Sequence, residues 1–203
     1  MKTALACLFL AMTLVPAAAQ VGLDEADSVM DGRQKELAAF QERLNDPDPD
    51  RALAVLKLLI TKGDAEQRRM ALRQGLQSTD SAVRATTLRA VLDSYPTLVM
   101  KIVPVEKEVN DYYTREILGN AGVLGADNSG QVLRKLTGYD DKEECWTIYA
   151  GANARCFARI RGEVVSLFFG DSWGNYTLNG EGALAGQQAV QTHLTNVTVD
   201  LNE

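Results

Sequence analysis

Apolar positions recur at helical spacing through residues 48–94. Asp48, Asp64 and Asp80 return every sixteen residues, followed at offset eight by Leu56, Leu72 and Leu88 and at offset twelve by Ile60, Leu76 and Leu92. Offset four adds Ala52, Arg68 and Arg84, and offset seven adds Val55, Ala71 and Thr87. An aspartate ahead of such a stripe is the signature of an N-capped amphipathic helix, so three helices are predicted. Each has one apolar stripe to bury against a neighbour, which calls for antiparallel hairpins. Lys62-Gly63 and Gln77-Ser78-Thr79 are connections short enough for them. Gly75 within a helix costs about 1 kcal/mol relative to alanine, a cost that a close helix–helix approach explains. Ahead of the repeats, Val21 to Met30 is polar and acidic and reads as frayed. Leu37, Phe40 and Leu44 then share one helical face, and Asn45 to Pro49 stops that helix and starts the next.

Tyr95-Pro96 ends the third repeat. Thr97 to Val103 reads as a short helix or an extended connector. A helix is expected to start at Pro104 and bury Val105, Val109, Tyr112, Tyr113 and Ile117, and a further helical turn is expected at Val132, Leu133 and Leu136. After Asp141 the period changes. Cys145–Tyr149, Arg155–Arg161 and Glu163–Phe169 are aromatic and β-branched runs separated by glycine turns. Asn179-Gly180 is a hairpin signal, and Val197, Val199 and Leu201 alternate as in a half-buried strand. The fold class is therefore α+β. Stacked helical hairpins, HEAT-like or a small bundle, occupy residues 20–137. An antiparallel meander of five to seven short strands occupies residues 138–203.

The opening DPDPDR at 46–51 and DSAVRATTLRAV from Asp80, with Val83, Arg84 and Leu88, resemble the HEAT-type helical repeats. The resemblance covers residues 48–94. It implies a scaffold or binding surface rather than a catalyst. A small helical bundle is the alternative, because solenoids generally need three or more repeats.

The first nineteen residues read as a secretory signal peptide: Lys2, an apolar run from Ala4 to Leu14, Pro16, and the small residues Ala17 to Ala19. The run is shorter than the roughly 20 apolar residues a membrane-spanning helix needs, and no later segment is apolar enough for a span. The expected location is periplasmic or secreted. With 21 Lys and Arg against 27 Asp and Glu, the chain has a formal net charge of −6, and losing the leader with Lys2 makes it more acidic. An acidic chain is unsuited to nucleic acid. Cys145 and Cys156, the cysteines outside the leader, are expected to form one disulfide. They flank a turn centred between Ala150 and Gly151, which predicts directly opposed cross-strand partners.

Gly170-Asp-Ser-Trp-Gly174 resembles the G-D-S-x-G around the nucleophile of chymotrypsin-like proteases, which makes Ser172 a candidate nucleophile. The only histidine, His193, follows the serine rather than preceding it, and there is no G-x-S-x-G elbow. The acids Asp140, Asp141, Glu143 and Glu144 read as a solvated turn, and Asp127 to Gly130 as an Asx-type turn without calcium-loop spacing. No P-loop and no post-strand G-x-G-x-x-G is present, and neither cofactor nor metal is expected. The aromatics Trp146, Tyr149, Phe168, Phe169, Trp173 and Tyr176 read as a β core; the alternative is that Trp173 and Tyr176, beside a glycine turn, form an exposed platform for a sugar or peptide. Arg68 and Arg84 mark a second candidate surface on the helices. The expected function is an exported, non-enzymatic binding or protein-interaction module whose partner is a protein or an envelope glycan. The alternative is a cell-envelope hydrolase using Ser172 or the acids, which requires titratable groups converging in a deep pocket.

Overall fold

The structure, a computed structural model, describes residues 22–201, so the signal-peptide reading lies outside the described residues. Helix α1 spans Leu23–Leu44 and begins well before Gly32, where the sequence pattern placed the start of order. Residues 22–36 form a unit of their own, in which Arg33 pairs with Glu36 at 2.8 Å. The second unit, residues 37–201, holds the remaining elements.

Helices α2 (Pro49–Lys62), α3 (Ala65–Leu76) and α4 (Ser81–Asp93) follow the sixteen-residue repeat. Asp48, Asp64 and Asp80 are their N-caps, each side chain accepting hydrogen bonds from amides of the first turn, and Asp64 with Gln67 completes a capping box. Leu56, Ile60, Leu72, Leu76, Leu88 and Leu92 are all buried. Each of the three helices packs on the other two, an arrangement that a hairpin stack and a small bundle share. Gly75 is where they come closest: a Cβ there would sit 2.7 Å from the Thr87 methyl and 2.8 Å from a Leu56 methyl.

The rest of the unit is one ten-stranded antiparallel sheet. Its strands are β1 (Thr97–Pro104), β2 (Val123–Leu124), β3 (Gly130–Lys135), β4 (Gly138–Asp140), β5 (Cys145–Ile148), β6 (Arg155–Arg161), β7 (Val164–Phe169), β8 (Ser172–Leu178), β9 (Leu184–Val190) and β10 (His193–Asp200). Three of them come from the stretch read as helical. Thr97–Val103 is the extended alternative, and it is a strand within the sheet rather than a connector. Val132 and Leu133 lie on a strand, not a helical turn. Pro104 ends a strand, and helix α5 covers only Asp111–Gly119, capped by Asn110.

The strand order is β2-β3-β1-β10-β9-β8-β7-β6-β5-β4. Strand β4 thus ends the order and β3 stands next to its other end, yet only Leu136 and Thr137 lie between them. Three peptide steps reach about 11 Å at most, so the sheet has to curl until its ends meet. The bonding shows the join. The Leu136 amide donates to Pro96 O at 3.0 Å on the β1 side, and the Thr137 amide donates to Thr147 O at 2.8 Å on the β5 side. Residues 130–140 are in effect one strand that closes an eight-stranded up-and-down barrel, with β2 added beside β3 where β5 does not reach. A barrel of eight strands is just wide enough for side chains to fill. Leu98, Met100, Ile102, Val132, Val165, Leu167, Tyr176, Leu184, Val197 and Val199, which alternate inward along their strands, are all fully or almost fully buried.

Helices close both mouths. At one end Arg84 reaches Glu163 in the β6–β7 turn, Leu76 packs under Gly182 of the β8–β9 loop, and Asp93 accepts from the indole N–H of Trp146 at 3.1 Å. At the other end α5 sets Tyr113 and Ile117, both buried, against the start of β3 and the β9–β10 turn.

Cys145 and Cys156 are joined, with Cα atoms 5.5 Å apart. They are not directly opposed. The one-turn helix Gly151–Asn153 lies in the connection and moves the turn centre, so that Cys156 faces Thr147; a bulge follows between Trp146 and Thr147. The pair is therefore diagonal. The Asn179-Gly180 hairpin exists but spans Asn179 to Ala183, with its positive φ at Gly182; the Asn179 side chain accepts from the amides of Glu181 and Ala183 instead of the backbone turning at Asn179-Gly180.

Two core substitutions test this packing. Leu72→Ala should cost about 2–5 kcal/mol in denaturant melts. Gly75→Ala should destabilise by about 1–3 kcal/mol through overpacking, although alanine is favoured by about 1 kcal/mol in an open helix. A stabilised Gly75→Ala would contradict the close approach.

Candidate functional site

With the barrel interior filled and both mouths covered, the outer wall and the crevices around the helices are what remains for recognition. The tight turn between β7 and β8 is Gly170-Asp171, both with positive φ (59° and 66°), the two-residue hairpin geometry. Gly174 does not belong to it. Gly174 lies inside β8 and faces inward, where a Cβ would come within 2.7 Å of the Tyr176 hydroxyl. Trp173 is therefore on a strand and not on a bend. Strand alternation sends it outward, 38 % exposed, while Tyr176 points into the barrel and is buried. The expected Trp173–Tyr176 platform does not form, because residues three apart on a strand face opposite sides.

What Trp173 joins instead is a row across the outer wall. It is paired with Phe168 of β7, ring centroids 5.5 Å apart. Continuing the β8–β9 register from Asn175↔Gln187 by two residues sets Trp173 beside Ala189, Ala189 is paired with Leu194, and the Val105 amide bonds Leu194 O at 2.9 Å. Phe168, Trp173, Ala189, Leu194 and Val105 thus stand side by side over five neighbouring strands, with Leu194 and Val105 half-exposed at 50 % and 51 %. The rank next to it is polar over four strands, where Ser166 donates to Asn175 at 2.7 Å and Gln187 donates to Asn196 at 3.0 Å, and ends in the exposed Val103 opposite Asn196. The Arg159 guanidinium lies 4.8 Å over the Trp173 ring.

The other predicted residues are structural. The Tyr176 hydroxyl bonds Gln188 Oε1, and the Gln188 side-chain amide donates to Phe169 O at 2.6 Å and to Ser172 O at 2.7 Å, so this buried polar group is satisfied. Arg68 donates to the Ser94 hydroxyl at 2.9 Å, tying α3 to the end of α4. Arg84 donates to Ser78 O at 2.6 Å and pairs with Glu163, which raises its pKa, chiefly through that hydrogen bond. Both arginines occupy stripe positions and serve as links between elements.

Among the described residues, Ser172 and His193 are engaged separately. The Ser172 hydroxyl donates to Ala189 O at 2.9 Å, His193 Nε2 accepts the Asn110 amide at 3.2 Å, and no hydrogen bond joins the two side chains. Asp140 accepts the amides of Lys142 and Glu143 in an Asx turn. Asp127 accepts from the Ser129 hydroxyl and amide, which lowers its pKa. Among the described residues there is no group of three or more His, Cys, Asp or Glu placed to hold a metal ion, and no helix long and apolar enough to cross a membrane. Comparison with protein families, with curated proteins and with solved structures found no match to this chain.

The outer row escaped the sequence because it depends on register. The sequence pattern places Val105 on a helix and gives Leu194 no strand partner. The available signal was parity: Phe168, Trp173 and Leu194 occupy the outward positions of their strands, where polar residues are expected.

Burial and the Asp127 charge push the Tyr113 hydroxyl up to about 12, and burial pushes Tyr176 in the same direction. In the unfolded chain a tyrosine titrates at about 10. Both groups hold their protons more tightly when folded, so the stability they contribute is fully present below about pH 10 and is lost as pH rises through about 12. Urea melts should show stability falling over this range, with a shallower fall in Tyr113→Phe. An unchanged slope in that variant would contradict the assignment.

Proposed function

We propose that the protein is an exported, non-enzymatic binding module that engages a protein or an envelope glycan through its outer apolar row, with Trp173 as the main contact. The observation that carries this reading is the row itself. Five apolar side chains stand in register on an exposed wall, beside a rank that is polar from Ser166 to Asn196 and apolar at Val103, and contiguous exposed apolar surface marks interaction sites more often than isolated residues do. Trp173 offers an apolar ring face and an N–H donor, the combination that suits a sugar ring or a peptide side chain. The helical layer acts as scaffold in this reading, as the HEAT resemblance implies. The hydrolase alternative has no convergent acid–base pair in its favour.

The test is binding of purified protein to isolated envelope polysaccharide and to candidate envelope proteins, by calorimetry. Trp173→Ala and Leu194→Ala should each weaken binding, Trp173→Ala by about 2 kcal/mol or more as expected for a central aromatic anchor. Both variants should keep the wild-type melting transition. Ser172→Ala should bind as wild type does. A turnover activity abolished by Ser172→Ala would replace this reading with the enzymatic one.

A further inference from the structure

Beside the outer row there is a crevice of different chemistry. It has a volume of about 280 Å³ and lies between α4 and strands β4 to β6. Four cations line it, Arg89, Lys142, Arg159 and Arg161, against two carboxylates, Glu143 and Glu144. That is a local excess of positive charge on a chain whose formal net charge is −6. Like charges gathered at one place repel, and the arrangement is relieved by a bound anion.

Two of the cations are already held in position. The Arg89 guanidinium lies 5.5 Å from the Tyr139 ring centroid and 5.4 Å from that of Trp146. Arg159 is stacked on Trp173. Ring stacking fixes a planar guanidinium while leaving its N–H edge open to a carboxylate or phosphate. Their ion pairs are loose: Arg89 Nε stands 3.7 Å from Asp93, and Arg159 Nη2 stands 3.6 Å from Glu143. Arg159 Nε is buried and has no hydrogen-bond partner. Among the described residues, the charged ends of Lys142 and Arg161 have no hydrogen-bond or ion-pair partner. Two pre-ordered guanidiniums and two uncommitted cations around one crevice form a receptor for a group with several acceptor oxygens. A second crevice of about 510 Å³ along α2 and α4 is bordered by the same Arg89 and Ile160. There is room for the group to be carried on a larger molecule.

We infer that this crevice is a binding site for an oxyanion, the carboxylate or phosphate of a small molecule, held by Arg159 and Arg161 with Arg89 and Lys142 supplying charge. The site adjoins the outer row, touching it where Arg159 lies over Trp173, and does not depend on the row being functional.

The experiment is calorimetric titration of the full chain with glucuronate, glucose 6-phosphate and glucose, at low and at high salt. Binding of either anionic probe, weakened by salt and absent for glucose, is expected. Glucuronate alone identifies a carboxylate receptor, glucose 6-phosphate alone a phosphate receptor, and both together a site that reads charge; each of these supports the inference. Arg161→Gln removes a cation that has no internal partner and should leave the fold intact while weakening binding by about tenfold, the loss of one charge-assisted contact. Lys142→Gln is the second variant in case Arg161→Gln perturbs β6. No binding of either anion, equal binding of glucose, or affinities unchanged in both variants would overturn the assignment.

Discussion

Two residues govern the shape of the sheet. Leu136 and Thr137 are all that separate β4, the last strand of the hydrogen-bonded order, from β3, the second, and a chain that short cannot span an open sheet. Closure follows from covalent reach. It leaves the two-residue β2, paired only with β3, as a short edge where an open ten-stranded sheet would present long ones to other chains, and it fixes which side chains are inside. Tilt and stagger come with it, since a closed barrel requires both. The stagger is visible where residues 130–135 pair with β1 while residues 138–140 pair with β5.

Closure also decides where recognition can take place. The inward residues meet as a packed core, and the polar groups among them, Tyr176, Gln188 and Thr195, bond to one another or to strand carbonyls. Gly174 and Gly186 lack a Cβ where the tyrosine and glutamine need the space. An interior so filled is not a ligand cavity of the kind some eight-stranded barrels enclose. The helices cover the mouths, so what is left is the outer wall with its apolar row, and the crevices where α4 meets the barrel. Arg159 borders both: its guanidinium lies 4.8 Å from the Trp173 ring centroid, and the residue lines the cationic crevice.

The helical repeats were legible in the sequence because their determinants are local. An aspartate cap, an apolar stripe and a short connection lie within one sixteen-residue unit, and even the reason for Gly75 was readable. The α+β class and the Cys145–Cys156 pair were legible as well. The extent of the sheet was not. Thr97–Pro104 is flanked by β10 and β3, partners remote in sequence, and its apolar run fits a strand, a connector or a buried helix equally until those partners are known. Val132 and Leu133 carried the same ambiguity. The candidate site failed for a related reason: Trp173 and Tyr176 are close in sequence, and a one-residue difference in strand parity puts them on opposite sides of the wall. Arg68 and Arg84 looked like surface charge because a stripe position gives no hint of a partner as remote as Glu163.

The closed barrel is the claim on which the filled core, the covered mouths and the outer row all depend. Amide hydrogen exchange followed by NMR at Leu136 and Thr137 tests it most directly, because those two amides donate to Pro96 and Thr147 on opposite sides of the join. If the barrel is closed, both amides exchange as slowly as those in the middle of β10, opening only with global unfolding. Fast exchange at Thr137, with β10 remaining protected, would mean that the sheet is open and that its wall is not the surface described.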